Sequence, residues 1–161
     1  MSIQNFPQPA RHAEQDMPLA ECGFDPFEET TLRIARYFFQ SFASPESRGW
    51  CAAFEMAEQS YPAPFGATIA MALARALEVL RNSRKTGFVY INPECPACAG
   101  TITQEERHLL SVLRAVRAGK RSEAQANAVM VCQGASHEEL VASFERLCLI
   151  IGEGPLAKAA H

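Results

Sequence analysis

Apolar positions recur at three- and four-residue spacing along most of the chain, a period that predicts helices rather than strands. Leu32, Ala35, Phe38, Phe39 and Phe42 form one such stripe over 31–43. Ser44 followed by Pro45 then predicts a cap and a first helical residue, opening a helix through residue 60 with Trp50, Ala53, Phe54 and Ala57 inward. A third helix, 64–83, carries Phe65, Ile69, Ala72, Leu73, Ala76, Leu77 and Leu80. Its second face, Gly66, Ala67, Ala70 and Ala74, is small enough for a neighbouring helix, or a second copy of the chain, to approach closely.

Capping-box pairs Thr103/Glu106, Ser122/Gln125 and Ser136/Glu139 predict three further helices over 103–118, 122–133 and 137–151. Their inner faces are Leu109, Val112, Leu113 and Val116; then Ala124, Ala128, Val131 and Cys132; then Leu140, Phe144, Leu147, Cys148 and Ile151. Gly119 and Gly134 fall where C-caps belong. Only Phe88 to Ile91 has strand composition, and one strand cannot make a sheet. The expected fold is all-α, an irregular bundle of about six helices with a Cys-Pro-x-Cys loop and at most one short strand.

Pro7, Pro9, Pro18 and Pro26 interrupt the first thirty residues, while Phe6, Phe24 and Phe27 offer anchors. The expected organisation is an irregular arm (1–30), a single helical domain (31–152) and a frayed tail (153–161). A chain of 161 residues, 48% hydrophobic, suits one core. The opening residues lack the apolar run of a signal peptide. The window 64–80 contains Thr68, Arg75 and Glu78 and falls short of the ~20 apolar residues of a membrane span. A cytoplasmic protein without membrane association is expected.

Charge is segregated. Residues 1–74 hold four basic and nine acidic side chains, 75–121 nine basic and four acidic, and 122–161 two basic and five acidic. Arg107, Arg114, Arg117, Lys120 and Arg121 in the basic stretch make nucleic acid an alternative partner. However, a recognition helix opening Ser136-His137-Glu138-Glu139 sets carboxylates against phosphate, so such binding is disfavoured. Arg81, Arg84 and Lys85 are accounted for by the negative end of their helix dipole.

Six cysteines stand at 22, 51, 95, 98, 132 and 148, and a helical core of this size does not require them as disulfides. Cys22, Cys51 and Cys148 read as packing residues, and Cys132 also falls on an apolar helix face. Cys95-Pro96-Ala97-Cys98-Ala99-Gly100 resembles, over these six residues, the knuckle of zinc ribbons, where two thiolates converge on a metal. Tetrahedral zinc needs two more ligands. If 103–118 and 122–133 pair antiparallel about the turn at 119–121, Cys132 comes opposite residue 109, beside His108, with His137 returning to the same end. The expected site is therefore a structural zinc held by Cys95, Cys98, Cys132 and His108, with His137 as the substitute for His108.

A thiol–disulfide redox protein using Cys95 and Cys98 is the other alternative. Against it, the next helix starts only at Thr103 and no central sheet is predicted. Residue 99 is not the His of a haem attachment sequence. Nothing else converges on catalysis: Glu105 and Glu106 point about 100° apart and read as a solvated first turn. The sequence thus predicts a non-enzymatic, zinc-stabilised adaptor or regulator with an unidentified protein partner, and a homo-oligomer through 64–83 as a further possibility.

Overall fold

The computed structural model describes residues 15–152; the predicted tail (153–161) and the first fourteen residues of the predicted arm lie outside them. Among the described residues there are six α-helices: α1 (Pro26–Ala43), α2 (Gly49–Ser60), α3 (Phe65–Ser83), α4 (Gln104–Arg117), α5 (Arg121–Val131) and α6 (His137–Ile150). Two two-residue strands, β1 (Met17–Pro18) and β2 (Thr101–Ile102), pair antiparallel, with Met17 opposite Ile102. The fold is all-α, as the hydrophobic period implied.

α1 begins five residues earlier than its apolar stripe suggested. Asp25 Oδ1 accepts the Glu28 N–H at 2.8 Å and Glu28 Oε2 accepts the Asp25 N–H at 2.9 Å, a reciprocal capping box. Pro26 occupies the first helical position, where its missing N–H costs nothing. It starts a helix rather than ending one. After α1 the chain makes a short 3-10 turn, Pro45–Ser47, and passes through left-handed Arg48 before α2 begins at Gly49.

The inner faces are largely as read, with exceptions among the aromatics. Ala53 and Ala57 of α2 are buried, but Trp50 is 51% exposed and Phe65 of α3 is 49% exposed. Between α1 and α2, Phe38 stands edge to face against Phe54 with centroids 6.0 Å apart, and Phe27 tilts against Tyr61, which caps α2, also at 6.0 Å. The small-residue face of α3 has work to do within the chain. A Cβ at Gly66 would stand 2.7 Å from the Ala57 carbonyl oxygen and 2.7 Å from the Glu58 Cα, so α2 and α3 meet backbone to backbone there.

α3 lies between the α1/α2 pair and α6, and α4, α5 and α6 pack together on its far side. Leu73, Leu77, Leu80, Val112, Leu113, Phe144 and Leu147 meet in one continuous core. The capping box at Thr103 forms. Those at Ser122 and Ser136 do not: α5 starts one residue earlier, and Ser136 is left-handed (φ 52°), whereas an N-cap needs extended backbone. Gly119 (φ 73°) and Gly134 (φ 88°) end α4 and α5 in the left-handed conformation that side chains resist. No helix among the described residues is long and apolar enough to cross a membrane.

Candidate thiol site and its buried anchor

Between α3 and α4 the chain runs through 84–103 with little regular structure, and this segment carries the cysteine pair. Residues 88–91 carry no regular structure and join no ladder. Phe88 and Tyr90 instead turn onto Phe39 of α1, the first stacked at 4.4 Å between centroids and the second tilted at 5.5 Å. Their backbone is satisfied by the first turn of α4. Val89 N–H donates to Glu105 Oε2 at 2.6 Å, Ile91 N–H to Glu106 Oε1 at 3.0 Å, and Thr103 Oγ1–H to the Val89 carbonyl at 2.8 Å. The two glutamates expected to be solvated are thus structural acceptors, and Glu106 is fully buried.

Arg36 of α1 completes the arrangement. Its Nε donates to Glu106 Oε1 at 2.8 Å and one terminal nitrogen to Glu106 Oε2 at 2.9 Å, a bidentate pair with only 2% of Arg36 exposed. Its remaining donors go to the Thr101 carbonyl at 2.7 Å and the Ala99 carbonyl at 3.3 Å. Arg84 does the same at the start of the segment. It donates to the carbonyls of Val131 (2.6 Å) and Gly87 (2.8 Å) and to Glu105 (2.9 Å), over the Phe88 ring, so dipole compensation is the lesser part of its role.

Held between these anchors, Cys95 and Cys98 close a 3-10 turn (Pro96–Cys98) and are joined as a disulfide, with Cα atoms 5.3 Å apart. Both are half-buried, and Pro96, Ala97 and Ala99 are exposed. The Cys95 N–H donates to the Asn92 carbonyl (3.1 Å) and the Cys98 N–H to the Cys95 carbonyl (3.1 Å). After the turn, the Leu19 N–H donates to the Gly100 carbonyl at 2.8 Å, carrying the β1–β2 ladder up to the cysteines.

The other predicted ligands lie elsewhere. Cys132 is wholly buried at the end of α5; burial pushes its thiol up, opposed by the Ser83 hydroxyl and by Arg84. His108 Nδ1 is 3.2 Å from Asn127 Oδ1 on α5. Asn127 precedes Cys132 by five residues, about 7.5 Å of helix. The α4/α5 hairpin therefore has a register that takes His108 away from residue 132. His137 Nδ1 is 3.2 Å from the Gly134 carbonyl, in the turn before α6. Among the described residues no three His, Cys, Asp or Glu side chains are grouped to hold a metal ion. Of the four ligands expected around the knuckle, Cys95 and Cys98 are the two that the described residues bring together.

The basic stretch is also largely committed. Arg107 reaches the Met17 sulfur; Arg114 donates to the Cys22 carbonyl (3.1 Å) and lies over Phe24; Arg117 pairs with Asp25 (2.6 Å) and Glu28 (2.9 Å) over Phe27. Lys120 and Arg121 stand 3.8 Å from Glu123 and 3.7 Å from Glu145. Arg107, Arg114 and Arg117 thus dock the residues around α1's start onto α4, while Lys120 and Arg121 remain largely exposed.

Comparison with protein-family models, with curated proteins and with solved structures finds no match to this chain.

Proposed function

We propose that this protein is a cytoplasmic thiol–disulfide regulator whose working group is the Cys95–Cys98 pair. The observation that supports it best is the juxtaposition of these two sulfurs at the surface, with the other candidate ligands held apart from them. In a reducing compartment a surface disulfide of this kind belongs to a responsive pair rather than a structural staple.

The chemistry is a two-electron exchange with a small-molecule disulfide. One cysteine thiolate attacks the disulfide and expels one thiol; the second cysteine attacks the resulting mixed disulfide, expels the other thiol and closes the 95–98 bond. The turn at 96–98 is only three residues long and gives Cys95 little helix dipole, which suits a slow, sensing pair better than a fast oxidoreductase.

The test is equilibration of purified protein in glutathione buffers of graded poise, with the redox state of each cysteine read by differential alkylation and mass spectrometry. Cys95 and Cys98 are expected to change together, with Cys132 alkylated only on denaturation. The reading fails if the pair stays reduced in fully oxidising buffer, or if the reduced protein instead takes up one zinc per chain that survives dialysis.

A further inference from the structure

Next to the thiol turn lies a cleft of about 60 Å³, walled by Arg33 and Tyr37 of α1, Met56 of α2, and Asn92, Pro93 and Ala99 of the loop. It abuts the cysteines from both sides in sequence. Ala99 follows Cys98 directly, and the Asn92 carbonyl takes the Cys95 N–H. A thiol or disulfide reacting at this turn can lay its body in this cleft, and the volume suits a carboxylate with the few atoms that carry it.

The charges within reach are unequal. Arg36 also lines the cleft, but Glu106 matches its charge bidentately. Arg33 is exposed, and its hydrogen bond is to the Thr30 hydroxyl one turn back on its own helix, at 3.2 Å. The loop's carboxylate, Glu94, is held at the opposite end by Gln40 Nε2 at 3.1 Å. Gln40 is seven residues beyond Arg33, about 10.5 Å along α1. The cleft thus runs from a cation with no carboxylate partner among the described residues, over the apolar side chains of Tyr37, Met56 and Pro93, towards the thiol turn.

We infer that this cleft selects small thiols and disulfides bearing a carboxylate, with Arg33 as the specificity-determining residue. The inference rests on the thiol–disulfide reading and adds the substrate class to it. An exposed pair of charges gains little from a single contact, so reversing the charge at Arg33 is the sensitive perturbation: one attraction is lost and one repulsion gained.

The experiment follows oxidation of the reduced protein, wild type and Arg33→Glu, by glutathione disulfide (anionic), bis(2-hydroxyethyl) disulfide (neutral) and cystamine (cationic). The substitution is expected to slow glutathione disulfide and speed cystamine so that their rate ratio shifts about five- to tenfold, with the neutral reagent unchanged and the difference shrinking in high salt. A ratio that moves less than about twofold overturns the role of Arg33 while leaving the exchange reading intact. No reaction of the wild type with the neutral disulfide overturns the exchange reading, and the substrate class falls with it.

Discussion

Replacing Glu106 by Gln changes almost no volume and tests the anchor of the thiol loop directly. Glu106 receives four hydrogen bonds: Arg36 Nε and the Ile91 N–H on one oxygen, a terminal nitrogen of Arg36 and the Thr103 N–H on the other. An amide oxygen can serve one of these sites, but whichever way the side chain turns, its NH2 group then faces two donors. Two of the four bonds are lost and the Arg36 guanidinium is left buried without its counter-charge. Breaking a buried ion pair by removing one partner costs about 3–5 kcal/mol, a large share of the 5–15 kcal/mol typical of a whole domain. In a chain of this size that corresponds to a fall in Tm of roughly 6–20 °C. The assay is urea unfolding with an unchanged m value, beside Glu105→Gln as control. Glu105 is partly solvated, with 29% of its side chain exposed, and Arg84 keeps the Val131 and Gly87 carbonyls as acceptors, so its substitution should cost less, about 1–3 kcal/mol. Equal losses for the two variants, or a loss at Glu106 below about 1 kcal/mol, would refute the anchoring role.

Two further outcomes follow from the same contacts. Gly66→Ala should destabilise by about 1–3 kcal/mol, because the new methyl meets the α2 backbone at Ala57 and Glu58 rather than a side chain that could move; an unchanged denaturation midpoint would show that α2 and α3 can separate freely. For Asp25, burial alone would raise the carboxyl pKa, but the N–H groups of Glu28 and Phe27 together with Arg117 hold it below its ordinary value. Its contribution is therefore complete above the unfolded pKa of about 4 and is lost as pH falls through the lower folded value. Asp25→Asn should remove that acid-side loss, flattening the stability profile below about pH 4 relative to wild type.

The helical class was legible because burial repeats with the helix period, and Leu73, Leu77, Leu113 and Phe144 fall inside as their spacing required. The ends were less legible, since a cap is a backbone conformation before it is a residue type. Thr103 is extended and caps α4; Ser136, with an equally good pattern, is left-handed and cannot. At α1 the error ran the other way. Asp25-Pro26-Phe27-Glu28 carries both a capping box and a proline at the first helical position, but four prolines in thirty residues read first as breakers.

The cysteine pair was legible from spacing, and its distance from Cys132 was not, because the register of two packed helices is set by side chains throughout their interface. Arg36 left a signal that went unused. Leu32, Ala35, Arg36 and Phe39 share one face, so a cation sits in the middle of an apolar stripe. A buried cation requires a buried acceptor, and Glu106, already placed by its capping box near the thiol loop, was the carboxylate at hand.

The two glutamates explain how 88–91 is held without a partner strand. Val89 and Ile91 donate their N–H groups to Glu105 and Glu106, so backbone donors that a second strand would ordinarily satisfy find acceptors. Adjacent glutamates on a helix diverge by about 100°, which disqualifies them as an acid–base dyad but lets them reach two separate amides. Each then draws in a cation from a different part of the fold, Arg84 from the end of α3 and Arg36 from α1. Fixing of the chain at Ile91 before the turn and at Ala99 and Thr101 after it leaves 92–98 as the span between, tethered to α1 at Glu94 by Gln40. Opening or closing the 95–98 bond acts within that span, so a change of redox state should alter the mouth of the neighbouring cleft, at Asn92 and Pro93, and leave the helices where they are.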